Sequence, residues 1–182
     1  MIYDGNLRLR AIEPADVRHF YEWVNDPEVT RGLSMYLPLS NRDEDKWYER
    51  QQERDPHERA LAIELQEGDD WKLIGNCGVF NIEWVHRSGE LGIMIGEKSV
   101  WDRGLGTRVM VLLLRHCFET LNLNRVFLLV YGKNVRARRS YQKAGFVEEG
   151  CMRQAVYKNG KYDDVCFMSV LRSEWDARNL ES

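Results

Sequence analysis

Short alternating or apolar runs, one long one-faced helical pattern and a strand–helix–strand unit across residues 90–131 predict an α+β fold built on a single mixed sheet. The strand–helix–strand unit requires a parallel pair joined by a right-handed crossover, while the remaining strands follow one another closely enough for antiparallel pairing. The 182 residues, 21.5 kDa in mass, suffice for one good hydrophobic core, so a single domain over 1–182 is expected. With 43% hydrophobic and 30% charged residues and only 4 prolines, collagen-like and wholly disordered chains are excluded.

Leu7 and Leu9 alternate with Arg8 and Arg10 as a half-buried strand. Pro14, Ala15 and Asp16 open a helix whose apolar face is Val17, Phe20, Tyr21 and Val24, and Asn25-Asp26-Pro27 stops it. Residues 31–41 join apolar side chains to the breakers Gly32 and Pro38. Such a loop serves either as a wall over a binding site or as plain loop packing. Residues 43–54 form a polar helix that starts with three acids. Strands over 60–65 and 73–80 flank the turn Glu67-Gly68-Asp69-Asp70, and a further strand over 90–95 follows the loop at His86-Arg87-Ser88. Leu105, Val109, Leu112, Leu113, Cys117 and Leu121 share one helical face. Residues 125–131 read as a fully buried strand, and 135–144 as a helix ended by Gly145. Strands over 151–158 and 164–171 flank Asn159-Gly160, a hairpin signal.

The net charge of −3 conceals a strong asymmetry. Residues 1–100 carry 12 basic against 20 acidic side chains, residues 101–145 carry 9 against 2, and residues 146–182 carry 5 against 7. Positive charge confined to one segment suits a small polyanion, whereas a nucleic-acid binder spreads it over a face. No nucleic-acid partner is therefore expected. Cys77, Cys117, Cys151 and Cys166 show no metal-ligand spacing, so no metal is expected, and they read as reduced core residues. The polar amino terminus and the lack of any long apolar run predict a soluble cytoplasmic protein with no membrane association.

Two constellations carry the chemistry. In Val100-Trp-Asp-Arg103-Gly104-Leu105-Gly106-Thr107-Arg108, two glycines stand between a strand and the long helix. The first amides of a helix have no internal acceptor and lie at the positive end of its dipole, so they can hold a phosphate, and glycine lets the backbone approach it. A plain glycine-rich helix start is the competing reading, and the stronger one for two glycines taken in isolation. The full dinucleotide fingerprint fails at Val109, and no P-loop is present. The second constellation is Asn134-Val-Arg-Ala137-Arg138-Arg139-Ser140-Tyr141-Gln-Lys143-Ala-Gly145-Phe146. Helical spacing lets one surface present an amide, a small residue, a guanidinium and a phenol.

The ordered set Trp-Asp-Arg-Gly-Leu-Gly-Thr at 101–107, then Asn134, Ala137, Tyr141, Lys143 and Gly145-Phe146 after an apolar strand, resembles the GNAT superfamily of N-acetyltransferases. It is similar in particular to the branch that holds ribosomal-protein N-terminal and spermidine acetyltransferases. Trp23-Val-Asn-Asp26-Pro, the Glu90 strand and Tyr157 to Asp164 also fit, so the resemblance spans nearly the whole chain. It implies a mixed, mostly antiparallel twisted sheet with a splayed central parallel pair, flanked by helices. It also implies acetyl-coenzyme A (acetyl-CoA) as co-substrate, with its pyrophosphate at Arg103, Gly104, Leu105, Gly106, Thr107 and Arg108 and its pantetheine along the strand at 90–95. Trp101 and Asp102 depart from the common loop pattern, and Asp102 is expected to point away from the phosphate.

On the same resemblance, Tyr141 donates a proton or hydrogen bond to the departing sulfur, and Asn134 donates to the pantetheine or phosphate side. Glu90, at the start of the cofactor-side strand, is the candidate general base; a salt bridge with Arg87 is the competing reading. Backbone N–H groups near Met94 and Ile95 are expected to take the oxyanion. Arg139 and Lys143 are candidates for the outer phosphate groups, and His86 reads as a surface histidine. The acidic first hundred residues, including Asp43, Glu44 and Asp45, favour a cationic small-molecule amine or a protein N-terminus as acceptor. A homodimer is expected from the resemblance alone. The competing functions are a non-catalytic acyl-CoA-sensing module and an RNA-binding module; no RNA-binding motif supports the latter.

Overall fold

A computed structural model describes residues 1–180, with side chains through Arg178. The elements are β1 (Ile2–Asp4), β2 (Leu7–Ala11), α1 (Val17–Val24), α2 (Asn41–Glu53), β3 (Leu61–Glu67), β4 (Asp70–Glu83), β5 (Ser88–Ile95), α3 (Leu105–Arg115), β6 (Arg125–Tyr131), α4 (Val135–Ala144), β7 (Val147–Lys158), β8 (Lys161–Leu171) and α5 (Arg172–Leu180). One eight-stranded sheet runs in the order β1-β2-β3-β4-β5-β6-β8-β7. The register places β5 parallel to β6 and the pairs β1-β2, β2-β3, β3-β4, β6-β8 and β7-β8 antiparallel. The expected α+β fold with a mixed, mostly antiparallel sheet is therefore observed.

The chain gathers into two compact units, the first made of residues 1–80 and 92–105, the second of 81–91 and 106–182. In the first, Ile12, Phe20, Val29, Ala60, Ala62 and Met94 form a buried cluster, with Trp23, Trp47 and Trp101 packed against it. The edge of Phe20 meets Trp47 with ring centroids 5.7 Å apart. Helix α2 starts two residues before the expected point, because Ser40 and Asp43 form a reciprocal capping box: the Asp43 amide donates to Ser40 Oγ at 3.2 Å and the Ser40 amide to Asp43 Oδ2 at 2.8 Å. Two buried carboxylates are satisfied by arginines of β2. Arg10 forks onto Asp16 at 2.6 and 2.9 Å, and Glu64 receives Arg8 at 2.6 Å and Arg10 at 2.8 Å. Burial would push the Asp16 carboxyl up, but the Arg10 hydrogen bonds and the Glu13 amide together hold it below its ordinary value.

In the second unit, α3 buries Val109, Met110, Leu113 and Leu114. The expected α-helix to residue 121 stops at Arg115. The chain continues as a π-helical turn over His116–Thr120, with the Leu121 amide donating to the His116 carbonyl at 3.0 Å. Arg172 draws in this end of the chain: its guanidinium donates to the carbonyls of Phe118 and Leu123. Asn159 and Gly160, at φ 51° and 76°, form the left-handed turn that joins β7 to β8, as their sequence predicts.

Three expectations need correction. Strand β1 and helix α5 lie outside the expected elements, since three residues are too few to show periodicity and α5 is largely polar. Strands β4, β7 and β8 extend beyond their expected limits, because their added residues are largely polar and carry little hydrophobic signal. Cys77 and Cys117 are buried thiols, as expected, but Cys151 is exposed and forms a disulfide with Cys166. The β7–β8 register sets these two residues opposite each other, which linear spacing cannot reveal.

Candidate active site

In the first unit the phosphate-loop candidate follows the core residue Trp101, whose indole Nε1 donates to the Ile95 carbonyl at 2.9 Å. Trp101 therefore serves the core and fixes the end of β5, which explains an aromatic residue at this loop position. Asp102 is exposed in a left-handed conformation, φ 59°, and Gly104 follows at φ 77°. A Cβ built on Gly104 meets no atom within 4 Å, so the backbone here is open to a ligand. Arg103 is exposed, and Leu105 is anchored in the core at 5% exposure. Met94 is buried, and a Cβ on Gly75 would collide with the Met94 carbonyl; close strand approach at this point fixes the candidate oxyanion segment of Met94 and Ile95.

The same unit holds a second candidate feature. Glu44 on α2 is only 4% exposed; its amide donates to the Ser40 carbonyl at 3.3 Å, and its carboxylate makes no hydrogen bond or ion pair among the described residues. Burial, reinforced by Asp43, pushes its carboxyl above the ordinary value. A concavity of about 470 Å³ nearby in the chain is lined by Pro14, Val17, Arg18, Tyr21, Glu22, Asn41 and Asp45, none of them a predicted site residue.

In the second unit, the hydroxyls of Thr107 and Ser140 lie 2.9 Å apart, tying the first turn of α3 to the middle of α4. The Thr107 side chain is thus engaged by α4. Asn134 caps α4 by accepting from the Ala137 amide at 3.2 Å, and its own NH₂ makes no hydrogen bond among the described residues. Arg138 lies on the predicted ligand surface but is engaged elsewhere: it donates to the Gly132 carbonyl at 3.1 Å and to Glu148 at 2.6 Å, fixing the turn before α4. Arg139 and Lys143 are exposed, four residues apart on α4.

Tyr141 stands in this helix with its ring centroid 6.0 Å from that of Phe146. Burial pushes its phenol up to about 12, and the hydroxyl makes no hydrogen bond among the described residues. Such a group stays protonated at neutral pH and has a donor to offer. Glu90 accepts from Asn81 Nδ2 at 2.8 Å, while Arg87, its expected alternative partner, instead clamps Asn122 at 2.7 and 2.6 Å. Asn81, at φ 51°, is a partner of Glu90 that sequence reasoning missed; its one signal is the tolerance of asparagine for left-handed backbone. Pairing of β5 with β6 covers Ser88 to Glu90 against Arg125 to Phe127, with no further pairs among the described residues. Glu90 is thus the last residue of β5 paired with β6. His86 is exposed, as expected.

A model of the acetyltransferase (GNAT) domain matches residues 6–147. A spermidine N(1)-acetyltransferase of Vibrio cholerae is 29% identical over 174 residues, covering 94% of this chain and 96% of that protein. A Bacillus subtilis protein provisionally named as a ribosomal N-acetyltransferase is 28% identical over 177 residues, covering 94% of each. A crystal structure of the Vibrio cholerae spermidine N-acetyltransferase in complex with CoA and spermine superposes with a TM-score of 0.85 at 28% identity, covering 94% of this chain and 99% of that one. With the phosphate-loop glycines, the Tyr141 helix and this match in hand, the chain belongs to the GNAT acetyltransferase family and is an acyl-CoA-dependent N-acetyltransferase with acetyl-CoA as its co-substrate.

Proposed function

We propose that the protein acetylates a primary amine of a small polyamine-like cation by direct attack within a ternary complex. The observation that carries the chemistry is Tyr141, a half-buried, protonated phenol whose hydroxyl makes no hydrogen bond among the described residues. The amine nitrogen attacks the thioester carbonyl, the C–S bond breaks, and Tyr141 donates a hydrogen bond to the departing sulfur. A phenol held near 12 is a weaker acid than a thiol of ordinary pKa, about 8.5, so it stabilises the thiolate without surrendering its proton fully. The amine must lose a proton. At a pKa of about 10.4, roughly one amine in a few thousand is neutral at pH 7, a cost of nearly 5 kcal/mol. Glu90, oriented by Asn81, takes that proton directly or through water.

The remaining roles follow from the backbone and from charge. The Met94 and Ile95 amides stabilise the oxyanion. The amides over 103–107, with Arg103 and Arg108, hold the pyrophosphate, Asn134 donates to the pantetheine side, and Arg139 and Lys143 meet the outer phosphate. Glu44 supports the cationic acceptor, because a buried carboxylate without a protein partner favours a cation beside it. The relatives named as spermidine N-acetyltransferases, one of them in complex with CoA and spermine, support this choice. We place the protein in the cytoplasm as a homodimer.

A protein N-terminus is the second reading, favoured by the ribosomal relative. Acetyl transfer assayed on spermidine, spermine, an aminoglycoside and basic N-terminal peptides separates the two. Turnover highest on the polyamines supports the proposal; turnover on peptides alone overturns the acceptor. CoA binding with no turnover on any amine would make the protein an acyl-CoA sensor.

A further inference from the structure

We propose that Cys151, Cys166 and Glu148 form a redox-gated site for a thiophilic divalent cation of the Zn²⁺ type, closed as a disulfide and opened by thiols. The cluster lies on the β7–β8 hairpin. Cys151 stands opposite Cys166 in the ladder with Cα atoms 3.9 Å apart, so the backbone keeps the two sulfurs within reach of one another after their bond is broken. The register on β7 shifts between Glu148 and Gly150 and again between Met152 and Val156, leaving the cysteine pair in a short regular segment bounded by two irregularities. The first shift turns Glu148 toward the pair: the potential ligand atoms of Glu148, Cys151 and Cys166 all lie within 4.8 Å of one another.

The carboxylate is already oriented for this task. Glu148 Oε2 accepts from Arg138 at 2.6 Å, while Oε1 faces Cys151 Sγ at 3.6 Å. A metal ligand held on its far oxygen by a cationic donor is the usual outer arrangement of a protein metal site. Two thiolates and one carboxylate, with water in the fourth position, match the tetrahedral preference and donor softness of Zn²⁺. Cys166 is 1% exposed and Cys151 is exposed, so one sulfur is reachable from solvent and the other is screened.

Opening requires a low-molecular-weight thiol, the chemical class of the CoA that the transfer reaction releases. Its thiolate attacks the exposed Cys151 sulfur, the S–S electron pair passes to Cys166 Sγ, and a mixed disulfide forms on Cys151. A second thiolate attacks the small molecule's sulfur in that mixed disulfide and frees Cys151. The protein disulfide is reduced by two electrons, and the two thiols are oxidised to one small disulfide. Cation binding then releases the two thiol protons with no change of oxidation state.

The test uses the whole protein with Co²⁺ as probe. After treatment with dithiothreitol and its removal without air, one equivalent of Co²⁺ should give thiolate-to-cobalt charge-transfer absorption that Zn²⁺ abolishes. Protein treated with oxidised glutathione should show none, and its denatured form should titrate two thiols, those of Cys77 and Cys117, where the reduced form titrates all four. Cys151→Ser and Cys166→Ser should each lose the absorption, and Cys77→Ser should keep it. Glu148→Gln should weaken Co²⁺ binding by at least about tenfold, the lower end of what even outer partners of a ligand contribute. Should a cysteine variant fail to fold, alkylation of the exposed Cys151 in the reduced native protein tests the same loss. Absence of charge-transfer absorption in the reduced protein, its survival in the oxidised or Cys151-blocked protein, or four titratable thiols after glutathione treatment each overturns the proposal.

Discussion

Tyr141 has ring packing on one side and an unbonded hydroxyl on the other, so Tyr141→Phe removes the donor and leaves the packing. That substitution should lower kcat by roughly a hundredfold or more, the usual worth of a positioned acid, with the KM for acetyl-CoA little changed. Steady-state kinetics with the preferred amine checks the split; an equal loss in both parameters would mean that the ring only shapes the site. Gly104 makes a complementary case. No protein atom lies near its Cβ position, so Gly104→Ala meets only the strain of φ 77°, a cost of about 1 kcal/mol. Its larger effect should be a raised KM for acetyl-CoA, with the melting temperature lowered by only about 2–4 °C, because an added methyl stands where the backbone meets the ligand. Tyr141, Asn134 and Gly104 could be singled out from the sequence because the motifs that carry the family resemblance are local along the chain. The binding of Asn81 to Glu90, and the diversion of Arg138 to Glu148, were not, since each joins residues whose proximity depends on strand register or on a loop conformation.

Among elements, the β7–β8 hairpin carries a defined pH dependence. Hydrogen bonds from Arg125 and Ser169 hold the Glu149 carboxyl down at about 2. Its folded value lies below the unfolded one, so the stabilisation is complete above the ordinary carboxyl value of 4.5 and is lost as pH falls toward 2. The pair is partly exposed, which keeps the effect modest. In thermal melts, Glu149→Gln should lower the melting temperature at pH 6 and flatten its decline between pH 4.5 and 2; parallel curves for the two proteins would refute the linkage. On α4, Arg139→Ala combined with Lys143→Ala should weaken CoA binding but leave dephospho-CoA binding unchanged, as calorimetry with both ligands can show. Equal losses for both ligands would move these cations away from the outer phosphate. Helix α1 could be read from its apolar face, α2 from its leading acids and α4 from the glycine that ends it, whereas the π-helical turn after α3 could not, since it leaves no local signal in the sequence.

For the whole molecule, binding of acetyl-CoA to the folded chain alone predicts a thermal shift. At a ligand concentration a hundred times Kd the stabilisation is about 2.7 kcal/mol, which for a chain of this size raises the melting temperature by roughly 5–10 °C. Scanning calorimetry with and without the ligand measures it, and no shift would contradict the co-substrate assignment. The sequence by itself determined the α+β class, the element order around the parallel pair and the phosphate-loop and tyrosine motifs, because periodicity, caps and turn residues act over a few positions along the chain. Only the tertiary structure decided that Cys151 faces Cys166, that Glu44 is buried and that Arg138 belongs to Glu148. Each of those outcomes depends on strand register or helix packing, which bring residues distant in sequence together and leave no trace in local composition.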